Sequence, residues 1–415
     1  MENKKIMNRT MVVFGAILIQ LALGAIYAWS VFTPYLKDAG WSKTDSQVVF
    51  SLGLVSFAVV MVYAGKKLNT WGPQRLAFTG GIILGLGYFL AGLFGGTDFY
   101  SLLILIGLIG GSGIGFAYVV PIAVGMRWFP DKKGLITGLA VAGFGFGAML
   151  WVKLAGSWGN LIEEIGLANT FMVYGVAFAA MVIIGGLWMK MPPEGWKPAG
   201  FVEKHNVTST GSGENFTSKE MLSTPQFYLI FFTFIFSSSA GLMAIGLMKL
   251  YPMEALTANG FSKVEASAIA GTAMAVFFSL ANGLGRIIWG MISDKLGRKT
   301  SIVIMTATQG ILMILFTYMA GTEWLLYLGA SLVGFNFGGN FALFPTITAD
   351  TFGIKNVGQN YPYVFLAYGV GGVLGPILGG ILGDMGNFSL AFIILGIALL
   401  FGTVLILFVK PAVKK

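Results

Sequence analysis

An apolar run of about twenty residues begins near Met11, and eleven more follow near Asp45, Leu76, Ser101, Gly134, Ala168, Pro225, Val264, Ser301, Trp324, Gln359 and Phe388. As a helix, a run of that length matches the roughly 30 Å hydrocarbon thickness of a bilayer. Lipid offers peptide groups no hydrogen-bond partner, so each run must satisfy its own backbone, which a helix does. The chain therefore reads as an all-α polytopic membrane protein with twelve transmembrane helices. Charged residues make up 10% of it and hydrophobic residues 56%, a balance that removes a soluble globule from consideration. The first run lies behind Lys4, Lys5 and Arg9 but continues to about Leu36, with no small-residue cleavage site followed by a soluble domain. It reads as helix 1 and not as a removed signal peptide.

The formal net charge of +9 could suggest a nucleic-acid partner, but its distribution argues for topology instead. With the N-terminus placed in the cytoplasm, twenty of the 26 basic residues fall on cytoplasmic segments, among them Lys66, Lys67, Arg75, Arg127, Lys132, Lys133, Lys295, Arg298 and Lys299. That asymmetry is the positive-inside pattern. It predicts a multi-pass protein of the cell (inner) membrane with both termini in the cytoplasm, in contact with lipid and not with nucleic acid. The chain has no cysteine, which excludes disulfide and thiol chemistry.

The longest polar stretch, Lys190 to Thr224, contains Pro192, Pro193, Pro198 and a Thr/Ser/Gly run. It divides the chain into an N-terminal six-helix half (1–190), a cytoplasmic linker (191–224) and a C-terminal six-helix half (225–415). Thr217 and Glu220 stand at capping-box spacing, and Pro225 is placed to start helix 7. Glycines recur every four residues at Gly107, Gly111 and Gly115, and again at Gly371, Gly375, Gly379 and Gly383. Each set predicts a smooth face for close helix packing.

Arg286 is the one charged residue deep inside its apolar segment, eight residues before Asp294, where the polar loop begins. Eight helical residues rise roughly 12 Å, against roughly 15 Å from the edge to the middle of the hydrocarbon. The guanidinium can thus approach the midplane, where an ionisable group is a functional-site hypothesis by default. The competing reading is a structural arginine that snorkels to the surface or pairs with Asp294. Asn282, four residues earlier, shares its helical face. A planar fork of donors matches a carboxylate bidentately.

The two halves resemble each other at a fixed offset. The loop GKKLNTWGPQR (Gly65 to Arg75) parallels GMISDKLGRK (Gly290 to Lys299), with Gly65 and Gly72 each 225 positions before Gly290 and Gly297. Pro121 and Pro345 repeat at an offset of 224. Parallel six-helix repeats fit the major facilitator architecture, whose substrate lies between the halves near the midplane. The second loop resembles the loop signature of that superfamily through Gly290, Asp294, Lys295, Gly297 and Arg298, while the first-half copy has Asn69 at the aspartate position. The strings RWFPDKKGL, EMLSTPQF, YAWSVF and ALFPT are similar to those of the oxalate:formate antiporter family, which includes bacterial monocarboxylate transporters.

This resemblance implies a set of site residues. Arg286 falls on the helix 8 arginine that binds the substrate carboxylate. Tyr27, Gln47, Tyr118, Phe337, Phe341 and Phe365 fall on cavity positions. Oxalate-carrying members add a lysine on helix 11, eight residues after an Asn-Tyr pair; here the pair is Asn360-Tyr361 and the eighth residue is Tyr368. Eukaryotic monocarboxylate transporters, more distant relatives, have an aspartate where this chain has Asn282. One cation balances a monoanion and leaves a dianion with unpaired charge in low dielectric. The expected function is therefore secondary active transport of small monocarboxylates of the lactate, pyruvate, acetate or formate class, by alternating access in a functional monomer and with a proton. The alternatives are an oxalate/formate exchanger and a transporter-like carboxylate sensor. Asn336 and Asn340 could donate to a substrate oxygen or bridge helix to helix. No carboxylate maps to the cavity, so the substrate acid itself is the available proton carrier.

An enzyme is not expected. GGSG (Gly110 to Gly113) superficially matches an intramembrane serine-protease string, but that mechanism needs a membrane histidine, and the sole histidine, His205, is in the linker. No HExxH, Walker loop or metal cluster appears, and no cofactor is implied.

Overall fold

The computed structural model describes residues 7–41, 43–156, 158–193, 195–198 and 214–413. Lys4, Lys5, Lys204, His205, Lys414 and Lys415 lie outside these, as does the side chain of Gln47. The described residues form twelve long helices and no strand: α1 (Arg9–Trp29), α2 (Val48–Trp71), α3 (Pro73–Gly95), α4 (Phe99–Trp128), α5 (Lys133–Ala155), α6 (Leu161–Gly186), α7 (Pro225–Leu247), α8 (Lys263–Leu296), α9 (Arg298–Met319), α10 (Glu323–Phe352), α11 (Val357–Gly383) and α12 (Phe388–Leu407).

Eleven of them are long and apolar enough to cross a membrane by length and composition, and α10 is the exception. Its polarity has a structural cause. Asn336, Asn340, Thr346, Thr348 and Thr351 are all buried in protein, with α10 packed among α5, α7, α8, α9 and α11. A helical segment packed inside protein can carry amides and hydroxyls because neighbouring helices, not hydrocarbon, surround them, and α10 shows large apolar side chains at its surface only toward its start, at Trp324, Leu325, Leu328 and Leu332.

The ends of the elements follow local chemistry. Thr217 and Glu220 form the reciprocal capping box of a short helix, Ser218–Leu222. Pro225 opens α7 behind Thr224, whose hydroxyl accepts from the Phe227 amide at 3.3 Å. The turns α2–α3 and α8–α9 pivot on Gly72 (φ 79°, ψ 158°) and Gly297 (φ 86°, ψ 155°). Both lie in a region nearly closed to other residues, so the two loops repeat in conformation as well as in sequence.

The glycine faces pack as their spacing predicts. Gly107, Gly111 and Gly115 meet the backbone of α2, while Gly371 and Gly375 meet α7 at Ser238 and Ser239. Other glycines join the two halves. A Cβ on Gly134 would stand 2.3 Å from the Gly290 carbonyl oxygen, and one on Gly138 would stand 2.2 Å from that of Arg286. Further along the same α5–α8 seam, Gly145 meets Gly283, and between α2 and α11 Gly65 meets the Gly358 carbonyl. The halves therefore touch backbone to backbone from the midplane to the face that carries both chain ends.

At that face the loop signature acts as a clamp between halves. Asp294 accepts from the amides of Gly134 (3.0 Å) and Leu135 (2.9 Å) at the start of α5, and pairs with Arg298 at 2.6 Å. Arg298 and Lys133 meet on Asp350, at 3.0 and 2.6 Å. Gly290 supplies the close approach and Gly297 the turn. Lys295 is exposed.

Candidate functional site

Two irregular segments position the centre of the molecule. In α8, the stretch Ala273–Phe278 is wound as a π-helix, with Ser279 Oγ donating to the Met274 carbonyl at 3.0 Å. One extra residue in a turn rotates all that follows by about 100°, and the helix after it buries Asn282, Arg286 and Trp289. At the end of α1 the helix tightens to a 3-10 form that begins at Gly24 and runs past Trp29 to Val31. Gly24 lies so close to the Phe144 carbonyl that a Cβ would stand 2.1 Å from it. This crossing brings the Tyr27 ring edge-on to Phe144, with centroids 5.0 Å apart.

Arg286 has no exposed surface. Its Nε donates to Asn282 Oδ1 at 3.0 Å and its Nη1 to the Val141 carbonyl of α5 at 2.9 Å, while Nη2 has no hydrogen-bond partner. The guanidinium lies 4.0 Å from the centre of the Phe341 ring and 5.3 Å from that of Phe144. Such cation–π contacts supply about 2 kcal/mol when desolvated, far less than the several kcal/mol that taking an ion out of water costs. Arg286 takes part in no ion pair among the described residues. The alternative sequence reading, a snorkelling arginine or a partner of Asp294, is not what forms: Asp294 is engaged with α5 and Arg298.

Around this cation several buried polar atoms lack a protein partner. The hydroxyls of Tyr118 and Tyr361 and the Nδ2 of Asn282 are buried without partners, like Arg286 Nη2, and so is the Oε1 of Gln20, whose Nε2 donates to the Tyr118 carbonyl at 3.4 Å. Buried polar groups are ordinarily satisfied, so these atoms are available to a further hydrogen-bonding partner. Tyr27 and Tyr368, one from each half, share a hydroxyl–hydroxyl hydrogen bond across the site. The walls are aromatic. Phe365 packs on Tyr368 at 4.8 Å and on Tyr118 at 5.3 Å, and Phe341 is edge-on to Tyr368 at 5.5 Å.

The structure therefore brings together Arg286, Asn282, Tyr27, Tyr118, Phe341, Phe365 and Tyr368. Phe337 stands behind this group, edge-on to Phe341 at 5.3 Å and wedged against Gly241 of α7. Asn336 accepts from Trp289 Nε1 and donates to Thr308, bridging α8, α9 and α10. Asn360 is a fastening for the linker: its Nδ2 donates to the Phe216 carbonyl and its Oδ1 accepts from Ser218. Three contributors carry no sequence signal of their own. Phe57 sits in an ordinary apolar run and Phe144 in a glycine-rich one, and Val141 acts through its carbonyl, which any residue could supply.

The family profile of the Major Facilitator Superfamily matches residues 12–277 and 247–415. An oxalate:formate antiporter of Oxalobacter formigenes is 26% identical, over 96% of this chain and 90% of that protein. Apicoplast pyruvate carrier 1 of Toxoplasma gondii is 24% identical, over 88% of this chain and 82% of its own. Among solved structures, the proton:xylose symporter XylE superimposes with a TM-score of 0.70 at 12% identity, covering 97% of this chain and 96% of that one.

Proposed function

Since this chain belongs to the Major Facilitator Superfamily, and so is a multi-pass membrane transporter, we propose that it carries small monocarboxylates of the lactate, pyruvate, acetate or formate class by alternating access, together with a proton. One observation supports this reading above the rest: the fully buried Arg286 guanidinium is free at Nη2, lies beside the unpartnered Asn282 Nδ2 and has no carboxylate partner among the described residues. A carboxylate entering there finds charge-assisted donors at Arg286 and a phenol at Tyr118, while the aromatic walls accept a short apolar tail. One cation neutralises one negative charge. A dianion would retain a second charge in a low-dielectric site, where burial of an unpaired ion is costly.

Asn282 stands beside the arginine as a neutral acceptor, so that position offers no carboxylate to hold a proton in exchange for the substrate. The weak acid itself is the available carrier of the compensating proton. The basic residues at the face of the chain ends support a cytoplasmic placement of both termini. The working unit is a monomer of two halves, 1–190 and 225–415, joined through 191–224. A second reading, anion exchange of the oxalate and formate kind, is favoured by the similarity to the Oxalobacter protein.

Competition for uptake into proteoliposomes tests the substrate class. Unlabelled lactate, pyruvate, acetate and formate should each displace a labelled monocarboxylate, and oxalate should do so poorly. Oxalate as the strongest competitor would overturn the one-cation argument.

A further inference from the structure

The pseudo-symmetry of the two loops is broken where Asn69, Thr70 and Pro73 stand in place of Asp294, Lys295 and Arg298, and the first-half seam is left with a hole. In the second half, Asp294 fills the seam with its carboxylate, holding α5 and Arg298. The first-half seam has the same backbone geometry, with Gly65 against the Gly358 carbonyl as Gly290 lies against Gly134. The residue at the aspartate position, however, is Asn69. Beside it opens a notch of about 360 Å³ that Asn69 lines together with Arg127 of the N-terminal half and Lys355 of the C-terminal half. The lining holds two cations and no carboxylate. Arg127 is half-buried, and its Nη2 donates to the Lys355 main-chain carbonyl at 2.7 Å.

We propose that this notch binds an oxyanion of the phosphate class, which takes the place of the missing carboxylate and ties the halves together on the face of the chain ends. The notch has room for a phosphate-sized group. Arg127 and Lys355 approach it from opposite halves, so an anion between them favours the conformation in which this seam is closed over the one in which it parts. The same chemistry is offered by free phosphate and by an anionic lipid headgroup. Neither assignment depends on which acid the central site carries.

Inorganic phosphate, replacing chloride at constant ionic strength, is titrated onto the purified full-length protein in detergent while the unfolding midpoint is followed by tryptophan fluorescence. The wild type should show a saturable rise. Lys355→Gln keeps the carbonyl that Arg127 uses and should weaken the response by about fivefold, the scale of an exposed charge pair. Asn69→Asp should abolish it, because the internal carboxylate then occupies the cationic position. The parallel arm uses nanodiscs of phosphatidylcholine with or without phosphatidic acid. A rise confined to the phosphatidic acid discs, sensitive to the same two substitutions, identifies a lipid headgroup as the source. The proposal is overturned if neither phosphate nor phosphatidic acid stabilises the wild type, or if both variants respond as the wild type does.

Discussion

At the scale of single residues, the site depends on how one guanidinium is held. Two of its nitrogens are committed, to Asn282 and to the Val141 carbonyl, which leaves Nη2 and the free hydroxyl of Tyr118 for a ligand. Arg286→Ala is expected to insert and fold yet lose carboxylate uptake by at least about thirtyfold, since losing a buried charge-assisted partner costs a bound anion 2 kcal/mol or more. Arg286→Lys should retain little, because a point charge cannot serve Asn282, the carbonyl and a substrate oxygen at once. Near-normal uptake by either purified variant would make the arginine structural. Tyr368→Lys places a second cation where the Tyr27 hydroxyl now finds its partner, and should shift selectivity toward dicarboxylates in the same competition assay. A preference unchanged by this substitution would separate charge number from selectivity. Arg286 is legible in the sequence because a charge inside an apolar run has no other easy explanation. Tyr27, Tyr118, Phe341, Phe365 and Tyr368 are legible only through family resemblance, since an aromatic residue in a membrane helix is otherwise indistinguishable from packing. The Val141 carbonyl is invisible to any reading of side chains.

At the scale of elements, the α5–α8 seam joins binding to movement. Gly138 lies against the carbonyl of Arg286 itself, and Gly134 against Gly290 one turn nearer the clamp of Asp294. Packed interfaces of this kind switch between discrete arrangements and do not deform smoothly. Gly138→Ala puts a Cβ 2.2 Å from a backbone oxygen, which the seam can accommodate only by parting. This variant is expected to disfavour closure on the face of the chain ends and to slow transport. Paired spin labels on that face, attached at cysteines introduced into a chain that has none, should report longer distances; a wild-type distance distribution would refute this role for Gly138. The helices and the glycine faces of α4 and α11 could be read from the sequence as apolar runs and four-residue repeats, whereas Gly138 of the seam is not singled out there. The partner of each glycine face could not, because spacing marks a smooth surface without naming what lies on it. The π-helical turn of α8 and the 3-10 stretch of α1 were equally hidden, since their residues are ordinary helix formers in a tertiary setting that overrides them.

At the scale of the whole molecule, the question is what balances charge as the two halves exchange access. A membrane potential acts on every net charge moved across the bilayer. With Arg286 unpaired and Asn282 neutral, the loaded centre is neutral when a monoanion binds, and the empty centre carries one positive charge. Returning empty therefore moves a buried cation through the low-dielectric middle, whereas returning with an anion does not. This favours exchange of one anion for another unless the weak acid delivers its proton with it and the Tyr27–Tyr368 bridge and aromatic walls cover the guanidinium on the way back. Burial of Arg286 beneath the Phe341 and Phe144 rings is the geometry that such a return needs. Net symport is thus the expected outcome. Liposomes containing no internal carboxylate and given an inward proton gradient by buffer should accumulate labelled monocarboxylate, and a protonophore should collapse the accumulation. Uptake that begins only when a counter-anion is loaded inside would show that the empty carrier cannot return, and would assign the molecule to anion exchange.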